Sequence, residues 1–460
     1  MNRRSVSGRQ LARLTSLALD ERPYYLGLAG AVRELVLDGR LPLRTRLPAE
    51  RDLAGALGVS RTTITAAYNL LREQGYLSSR QGSGSWTALP VAVPPPRDSP
   101  DPIDLTGAGP RPGVPGLAAA AAAAAEQVET YAGAPGAEPA GVLPLRTVLA
   151  RRFAARGVPT GPEQIFVTGG ARRGLGLLLD VLFRPGDTFL AERPGRPEVR
   201  LAAVRRGLRT VPLRVWDLDA LGEHGGCLSP DFQYPTGAVM PPALRAVLAG
   251  GAEGSGSAAG VGAGPEAGPA IIVDESDTES ALDDAPGPAP CTGARVCALG
   301  SAASLLWPGL RVGWIRADAD TVRRLAEAEP YGGAAVLDQL VAAELLLDLP
   351  AIRAWRRREL TAGLEALTSE LTDALPEWTW TRPAGGSLLW IRLPFPVATR
   401  LAAAAAARGV LISPGPAFDP IPNGPDDELE RHIAITFAAS PERLETAVHR
   451  LTLAYAEVSA

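Results

Sequence analysis

Between Ala88 and Ile103 the chain carries Pro94-Pro95-Pro96 and Ser99-Pro100-Asp101-Pro102. So many fixed backbone angles and missing N–H donors fit neither a helix interior nor a central strand. Residues 88–103 therefore read as an extended, fairly stiff linker, and whatever folds must fold on either side of it. At 460 residues the chain is in any case too long for one ordinary core, and with 46% apolar residues it can fill two. The expected plan is a domain over 1–87, the linker, and a larger domain over 104–460.

Charge separates the two sides. Residues 1–87 hold 13 Arg against 7 Asp plus Glu, a net +6, while the remainder holds 33 basic against 43 acidic residues, a net −10. The overall −4 conceals a basic end suited to a polyanionic partner. All 46 basic residues are arginine, so the chain contains no lysine. The alanine-rich stretch 118–125 is too short to span a membrane, and nothing after Arg3, Arg4 and Arg9 resembles a signal peptide. A soluble cytoplasmic protein with no membrane partner is expected. Cys227, Cys291 and Cys297 lack the paired spacing of a zinc site, and His224, His432 and His449 form no cluster. Reduced thiols and no metal are expected.

Within residues 22–87, periodicity predicts three helices and a hairpin. Tyr24–Leu37 places Leu28, Val32, Leu35 and Val36 on one face and closes at Asp38-Gly39. A second helix is expected from Leu47-Pro48-Ala49-Glu50, with Pro48 as its starting residue and Leu53, Ala54 and Leu57 as a stripe stopped at Gly58. Ser60 is placed to cap a third, whose Ile64, Ala67, Tyr68 and Leu71 face inward until Gly75. Residues 76–79 and 85–87 are β-prone, and Arg80-Gln81-Gly82-Ser83-Gly84 between them suits a turn. Two helices across the tight Gly58-Val59 turn, followed by a hairpin, make a winged helix-turn-helix. Arg61, Thr62 and Thr63 open the helix that would enter the major groove, where hydroxyls and N–H groups reach phosphates and a guanidinium reads guanine.

The run from Leu47-Pro48-Ala49-Glu50-Arg51 through Ser60-Arg61-Thr62-Thr63 to Gln81-Gly82-Ser83-Gly84 resembles the GntR family of winged-helix regulators. That resemblance implies contacts to double-stranded operator DNA from Arg51, Ser60, Arg61, Thr62, Thr63, Gln81 and Gly82.

Beyond the linker, helical patterns alternate with apolar strands at 165–168, 188–191 and 271–274, the pattern of an α/β fold with a mainly parallel sheet. Residues 250–270 are almost entirely Gly, Ala, Ser, Glu and Pro and are expected to be a disordered surface insertion. The segment 131–146, Val167-Thr168-Gly169-Gly170-Ala171, Pro185-Gly186-Asp187, Gln233-Tyr234-Pro235-Thr236-Gly237, Pro308-Gly309-Leu310-Arg311 and Ser413-Pro414-Gly415-Pro416-Ala417-Phe418 resemble a fold type I aminotransferase with a smaller C-terminal subdomain. A GntR-like winged helix joined to such a domain is the arrangement of the MocR subfamily. The resemblance implies a transcription regulator acting as a homodimer, whose two-fold axis would match paired half-sites.

In the resembled enzymes a lysine condenses with pyridoxal 5′-phosphate, since an amine is the common side chain able to do so. Counting back four residues from Pro308 places Ser304 at that position, and no lysine exists elsewhere in the chain to replace it. Asp274 is kept where a carboxylate meets the pyridine nitrogen, but Ser276 stands in place of the tyrosine that meets the ring oxygen. Arg196 replaces the aromatic that covers the ring, Phe232 a histidine, and Ala434 the arginine that binds a substrate carboxylate. An anion corner survives at Gly170, Ala171, Arg172, Ser301 and Arg311. With Arg196, Tyr234, Asp274, Ser276 and Ser304 these residues make the expected ligand pocket. No covalent cofactor is expected; pyridoxal phosphate could be held non-covalently but is not expected. The favoured expectation is a catalytically dead domain that senses an unknown small-molecule effector. A ligand-free dimerisation scaffold, with Arg311 and Asp274 kept as buried structural groups, is the alternative, and a working aminotransferase is disfavoured for want of an amine.

Overall fold

The computed structural model describes residues 5–15, 24–37, 40–42, 45–73, 75–80, 84–88, 102–107, 113–133, 136, 138–248, 269–283, 291, 293, 295–421 and 428–459. Asp38-Gly39, the wing tip 81–83, linker residues 89–101 and nearly all of the 250–270 insertion lie outside them. The chain divides into two compact units, Met1–Pro94 and Pro95–Ala460, so the division falls inside the proline-rich stretch.

The first unit contains α1 (Gly8–Thr15), α2 (Tyr24–Leu37), α3 (Glu50–Leu57), α4 (Arg61–Glu73) and the antiparallel hairpin β1 (Leu77–Arg80) and β2 (Gly84–Thr87). Its core holds the residues expected from periodicity, including Leu28, Val32, Leu35, Val36, Leu53, Ile64, Ala67, Tyr68 and Leu71. Gly58 adopts φ 68° and ψ 26°, a left-handed conformation in which a glycine lets the chain reverse between α3 and α4 without steric cost. Pro48 does not start the second helix: α3 begins at Glu50, after an extended Ala49. The Pro48 carbonyl instead accepts the Tyr68 hydroxyl at 3.0 Å. Glu50 takes over at the helix start, where a carboxylate is favoured, and accepts the Thr65 hydroxyl at 2.8 Å. Helix α1, which the pattern did not reveal, buries Leu11 completely and packs on α3. Just before it, Ser5 bridges to Arg46, which bridges in turn to Trp86 of β2.

The second unit runs β3 (Ile103–Asp104), α5 (Leu117–Ala132), α6 (Leu143–Ala155), β4 (Ile165–Thr168), α7 (Ala171–Leu182), β5 (Thr188–Arg193), α8 (Pro197–Arg205), β6 (Arg209–Arg214), α9 (Leu218–His224), β7 (Gly226–Leu228), α10 (Pro242–Leu248), β8 (Ile271–Asp274), β9 (Val296–Ser301) and β10 (Gly313–Arg316). It continues through α11 (Ala319–Ala328), α12 (Val336–Leu347), α13 (Leu349–Ala374), β11 (Thr379–Trp380), β12 (Leu388–Arg392), α14 (Ala398–Ala407), β13 (Val410–Leu411), β14 (Ser413–Pro414), β15 (His432–Thr436) and α15 (Pro441–Ser459). Ile103, expected to end the linker, is already a strand residue paired in parallel with β13.

The central sheet has the order β4-β10-β9-β8-β7-β5-β6 and is parallel except for β10, which runs against both neighbours. Strands β4, β8 and β9 are buried along their whole length, as a sheet covered on both faces requires. These three strands are mutually parallel, so their C-terminal ends bring Gly169-Gly170, Asp274 and Ser301 to one edge. A smaller antiparallel sheet, β11-β12-β15-β14, packs with α13, α14 and α15 as the C-terminal subdomain. No helix among the described residues is long and apolar enough to cross a membrane.

Candidate functional site

Each unit carries one candidate site. On the first, Ser60 caps α4, its Oγ accepting the Thr63 N–H at 3.1 Å. The same Oγ lies 2.7 Å from the Thr62 hydroxyl and 2.8 Å from that of Thr63, so the three hydroxyls hold one another at the helix start. Arg51, Ser60, Arg61 and Thr62 are exposed and Thr63 is half-buried. The Arg61 side chain is 73% exposed and lies 3.7 Å from Glu50, a loose surface pair that leaves its fork free to engage a ligand. A cleft of about 810 Å³ beside it is lined by Arg46, Arg51, Arg61 and Arg72, with Gly84 and Ser85 from the wing. Arg72 donates to Ser85 Oγ at 3.1 Å and so ties α4 to the hairpin. Sequence reasoning missed Arg46, whose only signal was its place in the basic run before Leu47. Gln81 and Gly82 lie outside the described residues.

On the second unit, nine of the ten expected pocket residues line one cavity of about 630 Å³: Gly170, Ala171, Arg172, Arg196, Asp274, Ser276, Ser301, Ser304 and Arg311. Tyr234 is the exception and lies behind Arg196, whose guanidinium sits 4.2 Å from its ring centre. Gly170, at φ 104°, turns the chain from β4 into α7, so that the amide ends of the helix open on the cavity. Ser301 is buried, and its hydroxyl accepts the Ala303 N–H at 3.1 Å. Arg311 follows a short 3₁₀ turn and is exposed, unlike the buried Asp274, so it is not a buried structural group. Arg172 is the weak member of the corner: its side chain is 82% exposed and pairs with Glu198 at 2.7 Å.

Arg196 dominates the opposite wall. Its Nε lies 2.7 Å from Asp274 Oδ2, and Nη2 donates to Asp277. The other Asp274 oxygen accepts the Ser276 N–H at 2.9 Å. Burial alone would lower the Arg196 pKa, but the two carboxylates outweigh it and hold the guanidinium above its ordinary value. Burial pushes Asp277 up, with Arg196 opposing. Ser304 donates its hydroxyl to the Ser276 carbonyl, within the same wall. Behind the wall, buried Glu192 accepts the Ser229 N–H at 2.9 Å. Burial raises its carboxyl to about 8, against that hydrogen bond and with a further push from Asp274.

Asp277 escaped sequence reasoning, as did a second set of buried charges. Arg156 lies 3.1 Å from Glu275 and 3.4 Å from Asp231; Arg245 also binds Asp231, and Arg152 binds Glu279. The available signal was 274–279, which packs Asp274, Glu275, Asp277 and Glu279 into six residues beside an apolar strand. A buried carboxylate is either paired or keeps its proton, and the pairing cations of this second set are all arginines. Ala434, at the position resembling a carboxylate-binding arginine, is fully buried against Leu388 and Phe418 and supplies no charge.

The model of bacterial regulatory proteins of the gntR family matches residues 24–86, and that of aminotransferase class I and II matches residues 281–451. The chain is 30% identical over 400 residues to the HTH-type pyridoxine biosynthesis transcriptional regulator PdxR of Corynebacterium glutamicum, covering 78% of this chain and 81% of that one. It is 28% identical to the probable rhizopine catabolism regulatory protein MocR of Rhizobium meliloti, covering 64% and 65%. Among solved structures, the α-aminoadipate aminotransferase LysN of Thermus thermophilus superposes with a TM-score of 0.66 at 25% identity, over 78% of this chain and 93% of that one. By these matches the chain belongs to the transcriptional regulators in which a GntR-type helix-turn-helix domain is fused to an aminotransferase-like domain, the group that includes PdxR and MocR.

Proposed function

We propose that this regulator binds operator DNA through the start of α4 and the wing, as a homodimer on paired half-sites, and that its large unit performs no transamination. Instead the unit holds a small anionic effector without a covalent bond, and linkage between the two sites alters DNA affinity. The observation that supports this reading is a cavity lined by Gly170, Ala171, Ser301, Ser304 and Arg311 in a chain that has no lysine, with Ser304 at the position that resembles the enzymes' lysine. The residues present do not fit pyridoxal 5′-phosphate. No side-chain amine can condense with the aldehyde, and both oxygens of Asp274 are already engaged within the chain.

The test mixes purified protein with pyridoxal 5′-phosphate, reduces with borohydride and maps the peptides. No adduct is expected on any residue of the cavity, and one found there overturns the reading. A thermal-shift screen of inorganic phosphate, phosphate monoesters and dicarboxylates then looks for a compound that raises the melting temperature and also changes operator retention. Two of the three cations around the cavity, Arg172 and Arg196, are already paired within the chain, which favours a ligand-free scaffold as the second reading. On that reading no compound moves both quantities.

A further inference from the structure

We infer that Arg196 is a built-in occupant of the large cavity: its guanidinium takes the place of a cationic ring, so the cavity admits a compact oxyanion and refuses a planar cationic heteroaromatic. This deepens the proposed function and rests on the large unit being a non-covalent ligand site.

A guanidinium and a protonated pyridine share their essential chemistry. Both are planar, delocalised cations with N–H groups along the edge, and both are stabilised by an aromatic face and a carboxylate. The wall of this cavity offers that set of partners once, and Arg196 has taken it: the Asp274 carboxylate at 2.7 Å, the Asp277 carboxylate, and the Tyr234 face at 4.2 Å. Each Asp274 oxygen already has a partner in the chain, Arg196 at Oδ2 and the Ser276 N–H at the other at 2.9 Å. A cationic ring entering here would have to displace a cation already fixed to the chain, and would gain only what Arg196 loses. The corner at Gly170, Ser301 and Arg311 lies on the same cavity but outside this triad, so a small oxyanion can settle there without disturbing it.

The test uses the full-length protein and equilibrium dialysis with pyridoxal 5′-phosphate, read by absorbance, with and without excess inorganic phosphate. Because the chain has no lysine, no side-chain amine can trap the aldehyde, and any imine at the α-amino group is fixed with borohydride and subtracted, so dialysis reads non-covalent occupancy. Wild type is expected to retain pyridoxal phosphate no more tightly than inorganic phosphate. Arg196→Ala is expected to retain it at least about tenfold more tightly, with no such gain for inorganic phosphate, and adding Asp274→Asn to that variant should remove the gain. Arg196→Ala strands two buried carboxylates, so Arg196→Ala with Asp277→Asn provides a folded backup in which the same gain is expected. A wild type that binds pyridoxal phosphate as tightly as the variants, or a gain that survives Asp274→Asn, overturns the inference. If no form responds to inorganic phosphate, the effector reading fails, while the pyridoxal phosphate comparison still decides the role of Arg196.

Discussion

Arginine serves opposite ends in the two units. Around α4, Arg51 and Arg61 stand in solvent, and the carboxylate nearest Arg61 is a loose 3.7 Å away. In the large unit Arg152, Arg156, Arg196 and Arg245 lie against carboxylates of their own chain, most of them deeply buried. Exposed pairs contribute at most about 1 kcal/mol and leave the cation available, whereas breaking a buried pair strands a charge away from water. An arginine therefore signals a partner only where its counter-charge is missing. By that measure the first unit is turned toward a polyanion, and the large unit is mostly satisfied within itself.

The largest expected effect breaks a buried set. Arg156→Met removes the cation shared by Glu275 and Asp231 and should cost the large unit about 3–5 kcal/mol, read as a fall in its denaturation midpoint in urea. A change below about 1 kcal/mol would mean these charges are hydrated after all, and the contrast between the units would fail. Next comes the exposed set. Replacing Arg61 and Thr62 together by Ala should weaken operator retention about 100-fold. The melting temperature should move by no more than about 2 °C, because neither side chain is buried. Unchanged retention in a mobility-shift assay would remove α4 from the DNA contact.

The same contrast explains what the sequence disclosed. Helices α2 and α4 and the wing follow from local patterns: a repeating apolar stripe, a capping serine at 60 and glycines at 58 and 75. The expectation that Ser304 falls at the enzymes' lysine position was read in the same way, by counting back from the neighbouring Pro-Gly-Leu-Arg. Pairings across long stretches of chain were not. Arg196 and Asp277 lie 81 residues apart and Arg156 and Glu275 lie 119 apart, and no local spacing joins them. The reversal of β10 within a parallel sheet is equally a matter of tertiary path. Helix α1 was missed for another reason: eight residues with three arginines or glutamines exposed around one fully buried leucine give too short a stripe to distinguish from a basic tail.

A smaller effect concerns pH. Glu192 is lifted to about 8 in the folded protein, chiefly by burial, whereas an unfolded glutamate titrates near about 4.3. Between those values the folded state binds the extra proton, so the stability Glu192 contributes is complete below the lower value and is lost as pH rises through the upper one. Glu192→Gln should leave the melting temperature unchanged near about pH 4 and flatten its decline between about pH 4.3 and 8 by a few degrees. Parallel curves for the two proteins would show that Glu192 titrates alike in the folded and unfolded chain, and burial would not be holding its proton.

The smallest effect separates holding a helix from offering it to DNA. Ser60 is placed for both: its Oγ accepts the Thr63 N–H, and it lies against the hydroxyls of Thr62 and Thr63. Ser60→Ala removes the cap and should cost about 1 kcal/mol of stability in the first unit. Ser60→Asp keeps an oxygen for the N–H and suits the positive end of α4, so stability should return to within about 0.5 kcal/mol of the starting protein. The added negative charge, however, would face the phosphates in the proposed contact. Operator retention should therefore fall further in Ser60→Asp than in Ser60→Ala, opposite to the order of their stabilities. If retention instead tracks stability in the two variants, Ser60 is only a cap, and the DNA contact begins at Arg61.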